Sequence, residues 1–372
     1  MEQDLARALS RHIGYTTGAY YLERIVSTLS AFDDAPSAYI TELVEKARLA
    51  VSPREASGGN TKALSQEYLE EVINFAEAMG LLETVSPKQA QVRRFAPTEV
   101  GRTLLGAKGS EDESFFHYYL TKTVLFADSD ALFPVIDFFS RARSESLHAH
   151  YLAFQQGLRA RRAKWLLEAF PEQLLFKRIA LNVPWLRDPQ RGEPRPRIEE
   201  LSVKTAKHHT TPRHGWLSQL GLLDAESKAL TPFGAATRRS LTPDGHYFWL
   251  GPKQTTQRDL GISLEQRLPG PFEDTYGMAA EYAAPTNAEI DQLIADTVHI
   301  MKRGYKSVKL IHAAQATLLL PIEYIKYRMF ADGRSYRWAE VLSALFPRYR
   351  VDFERLSAKR GQIGFYKWKG VS

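Results

Sequence analysis

The chain has 372 residues, of which 44% are hydrophobic and 25% charged, and both fractions are ordinary for a globular protein. Its length predicts two or three domains. It contains no cysteine, which excludes disulfides, thiolate zinc sites and cysteine nucleophiles and fits a reducing compartment.

The net charge of +6 is unevenly distributed along the chain. Residues 301–372 contain 15 Lys and Arg against 5 Asp and Glu, a net charge of +10, so residues 1–300 carry −4. A basic C-terminal segment in an otherwise slightly acidic chain indicates that this segment binds an acidic partner, and nucleic acid is the usual one. The alternative is a face of solvated Lys and Arg.

Neither a secretion signal nor a membrane span is expected. The first residues, MEQDLARALSRHIGY, lack the apolar segment of a signal peptide. The longest apolar run, near AAQATLLLP, is far shorter than the roughly 20 residues that cross a bilayer. We therefore expect a cytoplasmic protein with no membrane partner.

Residues 1–110 predict several helices followed by a hairpin. The segments GAYYLERIVSTLSAF and APSAYITELVEKARLAV have apolar residues at helical spacing, and SQEYLEEVINFAEAMG predicts a further helix that ends at Gly80. The segments LLETV and QVRRFAP are short enough to pair as strands. A new helix then begins in PTEVGRTLL.

Residues 111–190 predict a helical connector, and residues 191–243 a second unit that repeats part of the first. In the second unit, Thr211 is expected to cap a separate helix with Pro212 at its first position. The segment QLGLLDAESKALTPFGAATRRSL then repeats the Gly-Leu-Leu and Thr-Pro-x-Gly pattern. Leu81 and Leu222 are 141 residues apart but Gly101 and Gly234 are 133 apart, so the second hairpin is 8 residues shorter.

Residues 244–300 predict an irregular segment followed by a helix, which Thr286 and Glu289 begin as a capping box. Residues 301–372 predict a basic C-terminal domain of helix, helix and hairpin. There YRVDFERL and QIGFYKWKG could pair as strands, although VDFERLSAK could equally be helical.

The pattern helix–GLLE–basic interval–PTEVG–helix resembles the winged helix-turn-helix superfamily, over roughly residues 15–106. The resemblance implies a mainly α fold with small β-hairpins (α+β), in which two or three winged-helix units are joined by the helical connector. It also implies that the third helix of a unit enters the major groove while the wing contacts the DNA backbone.

No catalytic arrangement is expected. The chain has no G-x-x-x-x-G-K-[ST] loop, no G-x-G-x-x-G after a strand and no G-x-S-x-G. His208, His209 and His214 are the only metal-like group, and they lack further ligands at a suitable spacing. Asp224, Glu226 and Lys228 could belong to a nuclease site of the Asp…Glu-x-Lys type but fall on the second wing. We therefore predict no catalytic residue, no metal and no cofactor.

The distribution of charged residues predicts different binding partners for the units. The third helix of the first unit carries Glu67, Glu70, Glu71 and Glu77 and no Lys or Arg, which favours a protein partner or self-association. The predicted contacts to double-stranded DNA are Lys204, Lys207, Thr211, Arg213, His214 and Lys228 in the second unit, and Arg334, Arg337, Arg348, Arg350, Lys359, Arg360 and Lys367 in the C-terminal domain.

The leading hypothesis is a non-catalytic DNA-binding protein with tandem winged helices. It would be a DNA-recognition or adaptor subunit of a larger assembly, such as one for phage defence, or a transcriptional regulator. Two alternatives stay open: a metal-dependent nuclease with a dispersed site, and a scaffold whose winged helices bind only proteins.

Overall fold

The structure, a computed structural model, describes residues 22–32, 37–49, 66–85, 92–141, 144–157, 203–240, 283–307, 316–349, 353–356 and 365–368. These residues are mainly helical, with two small antiparallel sheets, as the sequence predicts. No helix among them is both long enough and apolar enough to span a membrane.

The N-terminal subdomain covers residues 22–109. Its elements are α1 (Leu22–Thr28) with a 3-10 turn (Leu29–Phe32), β1 (Ala38–Tyr39), α2 (Ile40–Leu49), α3 (Gln66–Ala78), β2 (Leu82–Thr84), β3 (Arg94–Pro97) and α4 (Glu99–Gly109). Both outer strands pair antiparallel with β3, in the order β1-β3-β2. The predicted hairpin is therefore confirmed, and β1 adds a third strand.

Four helices form the described middle of the chain. They are α5 (Glu113–Phe139), α6 (residues 147–157), α7 (Val203–Gln219) and α8 (Pro232–Ser240). The backbone of α5 leaves helical geometry at Asp128 (φ −136°, ψ 22°), six residues before Pro134. The helices predicted after residue 110 are present as α5 and α6, the role of this segment as a connector stays a prediction, and residues 158–190 lie outside the described residues.

The C-terminal subdomain covers residues 283–368. It contains α9 (Asn287–Ser307), β4 (Ala316–Thr317), α10 (Leu319–Asp332), α11 (Trp338–Arg348), β5 (Phe353–Leu356) and β6 (Phe365–Trp368). The predicted capping box is confirmed, because Thr286 N donates to Glu289 Oε2 at 2.7 Å and Glu289 N donates to Thr286 Oγ1 at 3.3 Å. Residues 353–356 form a strand, so the helical alternative for this segment is wrong.

The two subdomains share one order of described elements. Each runs helix, strand, helix, helix, strand, strand, and in each the first strand pairs antiparallel with the last. The sheet orders, β1-β3-β2 and β4-β6-β5, are therefore equivalent.

The chain divides into two compact units, and each is described by itself. The discontinuous unit joins residues 16–124 to residues 269–372, and the central unit comprises residues 1–15 and 125–268. Within the discontinuous unit, helices α4 and α9 approach closely, since a Cβ on Gly304 would lie 2.6 Å from the carbonyl oxygen of Gly106. A buried ion pair also joins Lys122 to Glu323 at 2.6 Å. The domain boundaries predicted at residues 110, 190, 243 and 300 stay predictions.

The repeated Gly-Leu-Leu segment ends a helix in the same way in both copies. Gly80 and Gly221 both adopt a left-handed backbone, with φ 73° and 68°, which glycine tolerates best. Leu81 N donates to Ala76 O at 2.9 Å, and Leu222 N donates to the equivalent Leu217 O at 2.8 Å. The turn therefore leads the chain out of α3 and α7 by the same hydrogen bond.

The Thr-Pro-x-Gly segment starts the next helix in the same way in both copies. Thr98 Oγ1 accepts from Gly101 N at 3.1 Å, and Thr231 Oγ1 accepts from Gly234 N at 3.0 Å. A Cβ on Gly101 would lie 2.2 Å from Leu81 O, and a Cβ on Gly234 would lie 2.0 Å from Leu222 O. The predicted equivalence of the two glycines is confirmed, and its cause is backbone-to-backbone contact that leaves no room for a side chain.

The shorter second hairpin is reduced to a tight turn. Leu223 and Leu230 form one antiparallel bridge, and the turn between them is held by Asp224, whose Oδ1 accepts from Ser227 N at 2.6 Å. The eight missing residues therefore remove most of the strand pairing seen between β2 and β3.

Candidate nucleic-acid interface

Helix α7 has one exposed face that contains two lysines and no acidic residue. After the exposed Val203 at the helix start, the exposed residues recur at intervals of three or four and are Lys204, Lys207, Thr211, Gly215 and Ser218. The whole of α7 contains no Asp or Glu. At about 1.5 Å of rise per residue, this exposed face runs for roughly 21 Å, a length suited to a DNA groove.

The structure corrects the prediction that Thr211 caps a separate helix. Helix α7 is continuous from Val203 to Gln219, with Pro212 buried inside it. A proline removes one backbone donor and disturbs the preceding turn. In that turn, Arg213 Nη1 donates to the carbonyl of His209 at 2.8 Å, so a side chain supplies an additional donor. Thr211 itself is exposed on the lysine face of the helix.

The structure also corrects the prediction that Arg213 contacts DNA. The Arg213 guanidinium lies inside the central unit, where Nε and Nη2 donate to the two carboxylate oxygens of Asp128 at 2.6 and 2.7 Å. The two side chains are 4% and 0% exposed. Burial alone would lower the pKa of Arg213, but the charge and hydrogen bonds of Asp128 raise it. Arg213 is therefore a buried cation that cannot reach a base edge.

Sequence reasoning missed Asp128, the partner of Arg213, because the two are 85 residues apart. One signal was available: an acidic residue stands in the largely apolar stretch TVLFADSDALF. An unpaired carboxylate is costly inside a protein, so such a residue indicates a distant cation.

His214 packs against an aromatic ring and is not one of the exposed cations of the central unit. Its ring stacks on Phe139, with centroids 5.0 Å apart and planes at 15°. Burial, followed by the positive charge of Lys228, lowers the pKa of His214 below its usual 6.5. The imidazole is therefore mostly neutral at pH 7, and the predicted contact of His214 with DNA stays a prediction.

Lys228 lies in the exposed turn that follows α7. Its backbone has φ 56°, an unusual value for a residue with a side chain, and its Nζ donates to the carbonyl of Ala225. Asp224 has a pKa below its ordinary value because the backbone N–H of Ser227 donates to it. Its carboxylate thus builds the turn. No group of three or more His, Asp and Glu among the described residues could hold a metal ion.

The predicted DNA contacts in the described part of the C-terminal subdomain are engaged in ion pairs. Arg334 pairs with Glu289 at 2.8 Å, Arg348 with Asp291 at 2.6 Å, and Arg337 with Glu340 at 3.0 Å. Arg334 and Arg348 therefore tie the start and end of α11 to the first turns of α9. Three predicted contacts, Arg350, Lys359 and Arg360, lie outside the described residues, as does the side chain of Lys367 on β6.

The acidic third helix of the N-terminal subdomain is linked to its own hairpin. Arg93, just before β3, donates from Nη1 to Asn74 at 2.9 Å and from Nη2 to Glu77 at 3.0 Å. Thr84 on β2 also donates to Glu77, at 2.7 Å. The basic hairpin residue therefore neutralises part of the acidic face of α3, and the face that would enter a groove presents carboxylates.

The comparisons with known proteins add no relative: no protein-family model, curated protein or solved structure matches this chain.

Proposed function

We propose that this protein is a non-catalytic DNA-binding protein built from winged-helix units. The order of elements in the N-terminal and C-terminal subdomains supports this reading of the fold. Each has a first strand that pairs with the last strand, and each has a two-stranded hairpin after its third helix. In the central unit, the equivalents are α7, the tight turn after it and α8.

The observation that carries the DNA-binding proposal is the exposed, acid-free face of α7. Lys204 and Lys207 form no ion pair with any described residue, and Thr211 follows them one turn later. Lys228 in the neighbouring turn adds a third cation. Cations on one helix face are the arrangement that holds successive phosphates, while the small residues Thr211 and Gly215 leave room for close approach.

We place the proposed DNA contact on the central unit, and α3 of the N-terminal subdomain is not part of it. The carboxylates of α3 would be repelled by phosphate, and its helix face is tied to Arg93. The role proposed for the whole chain is a DNA-recognition or adaptor subunit of a larger assembly, or a regulator, that acts on double-stranded DNA in the cytoplasm. A protein partner or self-association is proposed for the N-terminal subdomain.

Fluorescence anisotropy with a blunt 20-base-pair duplex tests this proposal. About 4 phosphate contacts give a slope of roughly −4 in a plot of log affinity against log salt concentration. The variant Lys204→Ala/Lys207→Ala should lower the magnitude of this slope by about 2, because two contacts are lost. Removing phosphate contacts should leave any sequence preference unchanged.

A matched control carries the same change of charge elsewhere. Lys46 and Lys108 are exposed lysines of the N-terminal subdomain, on α2 and α4. The Lys46→Ala/Lys108→Ala variant should keep the wild-type slope. A wild-type slope near zero, or equal losses in both variants, would rule out the α7 face as the DNA contact.

A further inference from the structure

A groove of about 370 Å³ lies in the central unit, next to the proposed DNA contact. It is lined by the end of α5, by the residue after the tight turn and by α8: Phe139, Ser140, Leu230, Ala235, Arg238 and Arg239. Its volume is near the lower end of the range of about 300–1,000 Å³ that small-molecule sites occupy. The groove is therefore sized for one small ligand.

One wall of the groove is cationic and partly fixed in position. Arg238 Nε donates to Asp137 Oδ1 at 2.7 Å, and its guanidinium lies 4.9 Å from the centre of the Phe133 ring. Asp137 Oδ2 also lies 3.1 Å from His150 Nε2. The Asp137 carboxylate is therefore next to both Arg238 and His150. Arg239 beside it is exposed and has no ion pair among the described residues. The groove thus presents a held guanidinium and an accessible one.

The lining of the groove also contains an aromatic ring. Phe139 lines the groove and stacks on His214, which is a neutral ring at pH 7 because burial and the charge of Lys228 lower its pKa. Aromatic side chains of this kind stack on nucleobases regardless of base identity. Ser140 adds a hydroxyl to the lining.

We propose that this groove binds one nucleoside phosphate unit, with its base on Phe139 and its phosphate on Arg239 and Arg238. The combination of a ring and two guanidiniums in one lining matches the two chemical parts of a nucleotide, and the volume is sized for one such unit. The ligand is either an unpaired nucleotide at a DNA end or a free mononucleotide. The first source rests on the proposed function, since DNA bound along α7 and Lys228 would bring an unpaired end to the groove.

Two duplexes with one difference test the first source. The protein is titrated by anisotropy with a blunt 20-base-pair duplex and with the same duplex carrying one unpaired terminal nucleotide. The unpaired nucleotide should tighten binding about ten-fold, the effect of stacking one base on an aromatic side chain. The variants Arg239→Glu and Phe139→Leu should reduce this ratio to about one. Lys207→Ala should weaken both duplexes and keep the ratio.

Calorimetry with deoxyadenosine monophosphate and with inorganic phosphate tests the second source. Binding of the mononucleotide that Arg239→Glu abolishes supports the site even if blunt duplex does not bind, and in that case only the proposed function fails. Equal affinity for inorganic phosphate would overturn the proposal, because the base would then contribute nothing. No mononucleotide binding, together with equal affinity for the two duplexes, would also overturn it. Arg239 is exposed, so its variant keeps the fold, and circular dichroism checks this.

Discussion

At the residue scale, the pairing of Arg213 with Asp128 determines which face of α7 is exposed. Arg213, Trp216 and His209 lie on the buried side, so Lys204 and Lys207 are turned outward. The Arg213 guanidinium also lies 5.4 Å from the Trp216 ring, which packs the cation against the core. A cation that sequence reasoning assigned to DNA therefore orients the helix instead.

Removing one partner of this buried pair should destabilise the central unit strongly. Asp128→Ala leaves the Arg213 guanidinium charged and unpaired in the interior, at a cost of about 3–5 kcal/mol in the free energy of unfolding. The double variant Asp128→Leu/Arg213→Met should cost much less, because no charge remains buried. Urea denaturation followed by circular dichroism measures both, and equal losses in the two variants would contradict the assignment.

The stacking of His214 on Phe139 should make stability depend on pH. Since the pKa of folded His214 lies below its unfolded value of about 6.5, the unfolded chain binds more protons in acid. The contribution of the neutral ring is thus present above pH 6.5 and is lost as the pH falls below it. Urea midpoints at pH 7.5 and 5.5 should differ less in His214→Phe than in the wild type. The same difference in both proteins would show that His214 titrates normally.

At the scale of elements, one hydrogen-bonded turn recurs with two different hairpins. The glycine in each Thr-Pro-x-Gly segment, or in its Pro-Thr-x-x-Gly counterpart, allows the new helix to approach the Gly-Leu-Leu turn, whether the hairpin has three residue pairs or a single bridge. The helix-to-helix connection is therefore independent of the length of the wing between them. This explains why the two segments align at both ends although they differ by eight residues.

Alanine at either glycine should destabilise its unit. The added Cβ would lie 2.2 Å from Leu81 O in Gly101→Ala and 2.0 Å from Leu222 O in Gly234→Ala, and a backbone carbonyl cannot move aside as a side chain can. We expect a loss of at least about 2 kcal/mol for each. Gly215→Ala, at an exposed position inside α7, is the control and should be neutral or slightly stabilising. Thermal unfolding compares the three, and a neutral Gly234→Ala would refute the close contact.

Local patterns predicted those parts of the fold that local interactions determine. The end of α3 at Gly80, the capping box at Thr286 and the repeated glycines all depend on residues within a few positions of one another. The division of α7 at Thr211 was wrong because burial of Pro212 and the Asp128–Arg213 pair outweigh the local preference of Thr-Pro for a helix start. Of the residues predicted to contact DNA in the second unit, Lys204, Lys207, Thr211 and Lys228 are exposed and Arg213 is buried, a difference that depends on partners distant in sequence.

At the scale of the whole molecule, net charge does not locate the DNA contact. Residues 301–372 carry +10, yet Arg334 and Arg348 pair with Glu289 and Asp291 of α9, which both precede position 301. The charge of this segment is therefore partly neutralised by its neighbours within the discontinuous unit. In the central unit, by contrast, the exposed lysines of α7 have no acidic residue on the same helix.

The response of DNA binding to salt should separate these two sets of cations. Arg334→Ala/Arg348→Ala should leave the slope of log affinity against log salt within about 0.5 of the wild type, since both guanidiniums are already paired with carboxylates of α9. It should destabilise the protein by no more than about 1 kcal/mol per pair, because the pairs are partly or largely exposed.

Lys359 and Arg360 lie outside the described residues, and replacing both by Ala should lower the slope by about 1–2 if they contact phosphate.

Measured side by side by anisotropy, these variants and Lys204→Ala/Lys207→Ala distinguish two arrangements of bound DNA. A loss of slope in the α7 variant alone places the duplex on the central unit, because only its phosphate contacts have been removed. Losses in both the α7 variant and the Lys359→Ala/Arg360→Ala variant mean that both compact units hold the same duplex, and the two losses should then add. A loss in Arg334→Ala/Arg348→Ala with none in the α7 variant would contradict the interface proposed for α7, since the ion pairs with α9 would then have to open in the complex.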